Sequence, residues 1–301
     1  MTTVELKTKR RVLAYRIRGR GEPLLLIHGL GSSGADWEAQ VRALERRFQV
    51  IIPDLPGTGS STPMPAGFNI SDVAEILWAF LDQLGVSKPN IAGFSLGGAV
   101  ALEMALQRPD AVPRLALINS LTTYRIDHWR KWLEARLPPI LFRLFGVKRA
   151  ARFTAARLFP DSWQKPLRER CAEVMGRITA ESYLGMARAL ERWSAIDRIS
   201  RLKARTLMIA AEHDFTPLVE KVAMATLLGA KIAIVRGSRH GTPFDAMAAT
   251  NSCLLALFTD QQLSASRRWV CDGALRSKRL ARLVARFVEE RAALRQLEFR
   301  L

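Results

Sequence analysis

Cysteine is scarce in this sequence: Cys171, Cys253 and Cys271 are the only three in 301 residues. The number is odd, and none lies in a CxxC pair or beside a histidine. That excludes a disulfide framework and a cysteine-based metal site, and points to reduced thiols in a reducing compartment. Long hydrophobic runs are also missing. No apolar stretch reaches the roughly 18 residues that a membrane span needs. The longest candidate, "LPPILFRLFGV", carries a Pro-Pro pair at its start and Arg143 inside it. The N-terminal "MTTVELKTKRRVLAYRIRGRG" has basic residues with no apolar signal core behind them. The chain is therefore expected to be soluble and cytoplasmic. Internal repeats and low-complexity linkers are absent too.

Acidic residues are few beside basic ones, 28 against 46, for a net charge of +18. The excess is uneven. Residues 121–200 carry 16 Lys+Arg and 8 Asp+Glu, a net of +8, and residues 261–301 carry 10 and 4, a net of +6. Such surfaces suit an acidic carrier protein, an anionic membrane surface or an anionic substrate group. The basic residues match no nucleic-acid recognition motif, so no nucleic-acid partner is expected.

What is present is a rhythm. "VELKTK" and "RVLAYRIRG" alternate like an opening pair of strands. "PLLLIHG", "FQVIIPD", "PNIAGF" and "RLALINS" are short apolar runs of the kind buried on both faces of a sheet. Between them, "DWEAQVRALERR", "SDVAEILWAFLDQLG" and "LGGAVALEMALQRP" have helical spacing, the second with Ser71 as N-cap and Gly85 as its stop. The alternation predicts an α/β fold: a mostly parallel sheet flanked by helices. From about Leu121 to Ser200 the pattern turns helical only, with Trp129, Trp132, Trp163 and Trp193. It then resumes with "RTLMIAAEHD", "PLVEKVAMATLLG", "KIAIVRG" and "FDAMAATNSCLLALFTD". The expected organisation is a core of 1–120 plus 201–260, an all-helical cap of 121–200 and a basic helical extension of 261–301. Leu280, Leu283, Val284, Phe287 and Val288 fall at helical spacing in that extension.

Chemistry concentrates at a few loops. Gly93-Phe94-Ser95-Leu96-Gly97 is a G-x-S-x-G between a predicted strand and a predicted helix. Its glycines permit close packing, and the helix start behind Ser95 offers free N–H groups to a developing anion. A serine hydroxyl needs a base to take its proton. Of the four histidines, His240 lies on a loop after the last strand, at the sheet edge where such sites form. His28 is expected to prop its loop, His213 to flank, and His128 sits in the cap. The acid that orients the base is Asp214, after the penultimate strand, with Glu212 and Asp54 as weaker candidates. For the oxyanion, the Leu96 N–H follows the nucleophile directly, and the Leu30 N–H in "HGLG" is chosen as the second donor.

Taken together, "HGLG" at 28–31, "DLPGTGSS" at 54–61, "GFSLGG" at 93–98, "AEHDFTP" at 211–217 and "RHGTPF" at 239–244 resemble the α/β-hydrolase family, specifically members with a helical cap. The likeness covers residues of about 20–260, in the order serine, acid, histidine. It implies a serine hydrolase that works through an acyl-enzyme and needs no cofactor. An ester or thioester with an apolar acyl group is the expected substrate, with a lactone or a C–C bond as alternatives. A silent ligand-binding protein or a membrane-surface protein recruited by the tail are readings from another class. The basic extension departs from the family pattern, in which the chain often ends soon after the histidine.

Overall fold

A computed structural model describes residues 2–6, 11–124, 129–262 and 269–271. Its centre is one sheet, built from β1 (Thr2–Leu6), β2 (Arg11–Arg18), β3 (Glu22–Ile27), β4 (Phe48–Pro53), β5 (Asn90–Phe94), β6 (Arg114–Ile118), β7 (Arg205–Ala211), β8 (Lys231–Val235) and β9 (Trp269–Cys271). The strand order is β1-β2-β4-β3-β5-β6-β7-β8-β9. From β4 to β8 every pairing is parallel, and the two ends are closed by antiparallel strands.

The apolar runs explain this arrangement. Side chains alternate across a strand, so a strand buried on both faces must be apolar at successive positions. In β3, Leu25 and Ile27 enter one core with Ile91, Leu115, Leu117 and Met208. Leu24 and Leu26 enter the opposite core with Val50, Ile52, Ala116 and Ile209. The first core is covered by α2 (Ile70–Gln83), α3 (Leu96–Gln107) and α7 (Leu218–Leu227), the second by α1 (Glu38–Leu44) and α9 (Met247–Phe258).

Two local details differ from the sequence reading. The N-cap of α2 is Asn69, not Ser71: Asp72 N–H donates to the Asn69 side chain and the Asp72 carboxylate accepts the Asn69 N–H, a reciprocal capping box. Ser71 lies inside the helix, where its hydroxyl accepts from Gln107 Nε2 at 2.8 Å. The second concerns the basic extension. Trp269–Cys271 is not helical but pairs antiparallel with β8 and covers its edge. The helix expected further along that extension, and His128, lie outside the described residues.

Between β6 and β7 the described chain forms α4 (Trp129–Leu158), α5 (Lys165–Met175) and α6 (Ala180–Glu191), with α4 broken at Gly146. These helices hold a small core of their own around Phe142, Ala151, Met175, Tyr183 and Leu184. Phe142 and Tyr183 stack with centroids 4.4 Å apart. Entry and exit of the segment are tied together: Ala195 N–H donates to Thr122 O at 2.8 Å and Tyr124 N–H to Trp193 O at 3.1 Å. No helix among the described residues is long and apolar enough to cross a membrane.

One buried charge fastens this segment to the core. Glu103 on α3 is almost fully buried and accepts two bonds from Arg198, at 2.7 and 2.8 Å, and one from Trp193 Nε1 at 2.8 Å. Burial pushes the Glu103 carboxyl up, but the bonds from Arg198 and Trp193 outweigh it and hold it below its ordinary range. Stability from this group is therefore present above its unfolded-state pKa and lost as pH falls through the lower folded value. Glu103→Ala is expected to cost about 3 kcal/mol at neutral pH, the lower end for a broken buried pair because Arg198 reaches solvent. Urea unfolding of wild type and variant checks it, and the gap between the two curves should narrow under acid.

Candidate active site

The turn from β5 into α3 carries Ser95 at φ 53°, ψ −118°, a left-handed backbone unusual for a residue with a side chain. It is held there from both sides. Ser95 N–H donates to Ile118 O at 2.8 Å, and its carbonyl accepts from Gly98 N–H at 2.9 Å. The flanking glycines are needed for space. A Cβ at position 93 would lie 2.2 Å from Gly97 O, and one at position 97 would lie 2.2 Å from Ile27 O. Only backbone fits where the start of α3 presses against β3.

His240 follows β8, and Asp214 follows β7. His240 Nε2 lies 3.0 Å from Ser95 Oγ, and His240 Nδ1 lies 2.8 Å from Asp214 Oδ1. A carboxylate only accepts, so the ring proton is on Nδ1 and Nε2 is left to accept from the serine. The imidazole lies between two rings, Phe215 at 4.2 Å and Phe94 at 5.3 Å between centroids. The Asp214 side chain is fully buried. Burial pushes its carboxyl up, but His240 and Lys221 beside it outweigh burial and hold it well below the usual carboxylate range. Thr216 Oγ1 also donates to Asp214 Oδ2, at 2.9 Å.

The Leu96 N–H opens α3 directly behind Ser95. Leu30 lies on the loop after β3, across the point where the strand order reverses between β3 and β5, and ligand crevices form at such points. The loop is fixed by His28. Leu55 N–H donates to its Nε2 at 2.9 Å, so Nδ1 carries the proton and donates to Gly29 O at 2.9 Å. Burial pushes the His28 imidazole below its ordinary pKa.

Ser95 and His240 open on a cavity of about 360 Å³, within the range of small-molecule sites. Leu30, Phe94, Phe159, Leu167 and Phe244 make its walls apolar, and Arg157, Arg170 and Asp36 add charge to the lining. Cys171 also lines it, but burial pushes that thiol up to about 12, which leaves it protonated and a poor nucleophile.

The other candidates lie elsewhere. His213 is exposed, and its ring is 3.7 Å from Glu212. The Glu212 carboxylate accepts from Gly237 N–H at 2.9 Å. Asp54 holds the Gly34 N–H at 2.8 Å, next to the His28 loop. Two residues beside Asp214 and His240 escaped the sequence reading. Asn119, at φ 46°, accepts Ala211 N–H at 2.7 Å and donates to His240 O at 2.7 Å. Lys221 on α7 is fully buried against Asp214. Its signal was a charge at the apolar positions of "LVEKVAMATL"; Asn119 left none, because a polar residue at a strand end is ordinary.

The profile of the alpha/beta hydrolase fold family matches residues 22–219. A putative carbamate hydrolase RutD from Stutzerimonas stutzeri is 29% identical over 259 residues, covering 82% of this chain and 97% of that protein. Its namesake from Azorhizobium caulinodans is 30% identical over 210 residues, 67% of this chain and 77% of that one. Among solved structures, the enol-lactonase from Burkholderia xenovorans superposes with a TM-score of 0.77 at 21% identity, over 86% of this chain and 100% of that chain. The thermophilic esterase from Thermogutta terrifontis does so at 0.75 and 23%, over 86% and 98%. With that profile spanning most of a chain whose sheet, strand order and serine turn follow the same plan, the protein belongs to the α/β-hydrolase fold family.

Proposed function

We propose that this protein is a serine hydrolase that cleaves a carboxylic ester or thioester with an apolar acyl group. The observation that carries the reading is the unbroken chain Asp214–His240–Ser95, with contacts of 2.8 and 3.0 Å, opening on an apolar cavity. The nucleophile is Ser95 Oγ, which attacks the acyl carbon while His240 Nε2 takes its proton. The Leu96 and Leu30 amides are the oxyanion donors in this reading. His240 then gives the proton to the leaving alcohol or thiol, and the acyl group remains on Ser95. A water attacks that ester with His240 again as base, and the acid leaves. Asp214 keeps the proton-bearing Nδ1 in place and stabilises the imidazolium of each step.

The names of the relatives fit the same bond class. Carbamate hydrolases, enol-lactonases and esterases all break a carbonyl–heteroatom bond, so a lactone is the nearest alternative substrate. The cavity supports an apolar acyl chain. Arg157 and Arg170 at its wall, with Asp36 3.4 Å from Arg170, favour a substrate that also carries an anion away from the scissile carbonyl. The cap's basic excess makes an acidic acyl carrier one source of that anion.

A fluorophosphonate probe is expected to label the wild-type chain once, on Ser95, and to leave Ser95→Ala unlabelled. Labelling elsewhere, or none, rejects the reading. On a panel of p-nitrophenyl esters and acyl thioesters, Asp214→Asn is expected to lower kcat by about 10³–10⁴, because His240 loses the partner that fixes its tautomer. Between a neutral ester and one with a terminal carboxylate on the acyl chain, Arg157→Gln should raise KM several-fold for the charged substrate alone. Equal changes for both would remove the anion from the reading.

A further inference from the structure

Lys221 is fully buried, seven residues after Asp214, with its Nζ against Asp214 Oδ2 and 3.2 Å from Asn119 Oδ1. An ammonium withdrawn from water costs several kcal/mol unless it is paired, and a packed apolar residue fills the same space without that penalty. Its place next to the carboxylate that faces His240 therefore calls for a role beyond packing. Asp214 divides its oxygens: Oδ1 faces His240, while Oδ2 is held by Lys221 and Thr216. Asn119 completes the frame, since the residue that accepts from Lys221 also donates to the backbone carbonyl of His240.

We propose that Lys221 is a positioning residue for the reaction inferred above: its ammonium pins the Asp214 carboxylate with one oxygen toward His240 and shares its negative charge, so that His240 stays neutral, and able to accept a proton, at lower pH. The proposal rests on the serine-hydrolase reading. Among the described residues, the charged groups near these three come from several elements. On the cavity side of His240 are Arg157 of α4, Arg170 of α5 and Asp36, which pairs with Arg170. Glu220 adjoins Lys221 on α7. Asp245 and Arg239 come from the His240 loop, where Asp245 is engaged by Ser238 Oγ and the Arg239 N–H. Tyr124 lies near Asp214 as a neutral phenol, its pKa pushed up to about 12 by burial. Lys221 is thus the cation in direct contact with the carboxylate on the side away from the imidazole.

The sign follows. Removing the ammonium returns the full carboxylate charge to the imidazolium and removes a neighbouring like charge. His240 then holds its proton to higher pH, and the acid limb of the rate profile moves up. Charges at this range shift titrations by one to three pH units, and a group one residue removed is expected to give about one.

The test is the rate of Ser95 labelling by a fluorophosphonate as a function of pH, in the full chain, for wild type, Lys221→Met and Lys221→Gln. Both variants are expected to move the acid limb up by about one pH unit. Met also removes the donor to Asp214 and should lower the plateau about tenfold, whereas Gln keeps a donor and most of the plateau. Variants that melt earlier but keep the wild-type limb would overturn the proposal alone. A wild type that never labels would overturn the serine-hydrolase reading and the proposal with it. If neither variant folds, ¹⁵N-lysine NMR of the wild type decides: Lys221 must remain an ammonium across the pH range of labelling, and a neutral amine there refutes the proposal.

Discussion

Where α3 leaves β5, its first turn passes so close to β3 that a Cβ at position 97 would lie 2.2 Å from the Ile27 carbonyl oxygen. This approach sets the geometry of the whole edge. It turns the chain sharply after Phe94 and forces Ser95 into a left-handed backbone, which costs on the order of 1–3 kcal/mol. Anchors to β6 and α3 hold it there. The strain has a chemical return. A relaxed strand-to-helix turn would carry the hydroxyl along the sheet, whereas this one presents it at the rim, 3.0 Å from His240 Nε2. The same approach brings the start of α3 against the His28 end of the loop that bears Leu30.

Once the rim is fixed, electrostatics governs the rest. The Asp214 side chain is buried, where an isolated carboxylate would take up a proton. It stays ionised because His240, Lys221 and Thr216 meet it directly. A buried carboxylate between an imidazole and an ammonium differs from one paired with the imidazole alone. The lysine offsets part of the charge that the carboxylate would otherwise carry alone in a buried place.

The parts of the fold that follow from periodicity were legible in the sequence. β3 through β8 read as apolar runs because both faces are covered, and the glycines at 93 and 97 announced the close turn before any geometry was known. Ser95, Asp214 and His240 were legible because each lies just after a strand, and a parallel sheet gathers such positions at one edge. Contacts between distant side chains were not. Asn119 and Lys221 are 102 positions apart and meet only when β6 and α7 pack. The capping of α2 was misassigned because Asn69 and Ser71 are both good caps, and Asp72 decided the matter by returning the bond. The edge strand Trp269–Cys271 lay hidden within a basic segment whose later residues have helical spacing, since three residues carry no period of their own.

The division between sheet and insertion also explains why the sequence speaks clearly about chemistry and faintly about substrate. Ser95, Asp214 and His240 stand on turns anchored in the sheet, where a shift of about 1 Å would break the hydrogen-bonded chain they form. Part of the cavity wall comes from α4 and α5, through Phe153, Leu158, Leu167 and Met175, and Met175 belongs to the insertion's own small core. Apolar side chains of similar size can replace one another in such a wall at little cost in stability. Each replacement redraws the shape of the cavity without touching Ser95 or His240. The anchor between Glu103 and Arg198 holds the exit of the insertion against α3, the same helix that follows the turn at Ser95. The exit of the insertion and the turn at Ser95 are thus tied to one helix, so a change in the wall leaves that turn where α3 and β5 hold it.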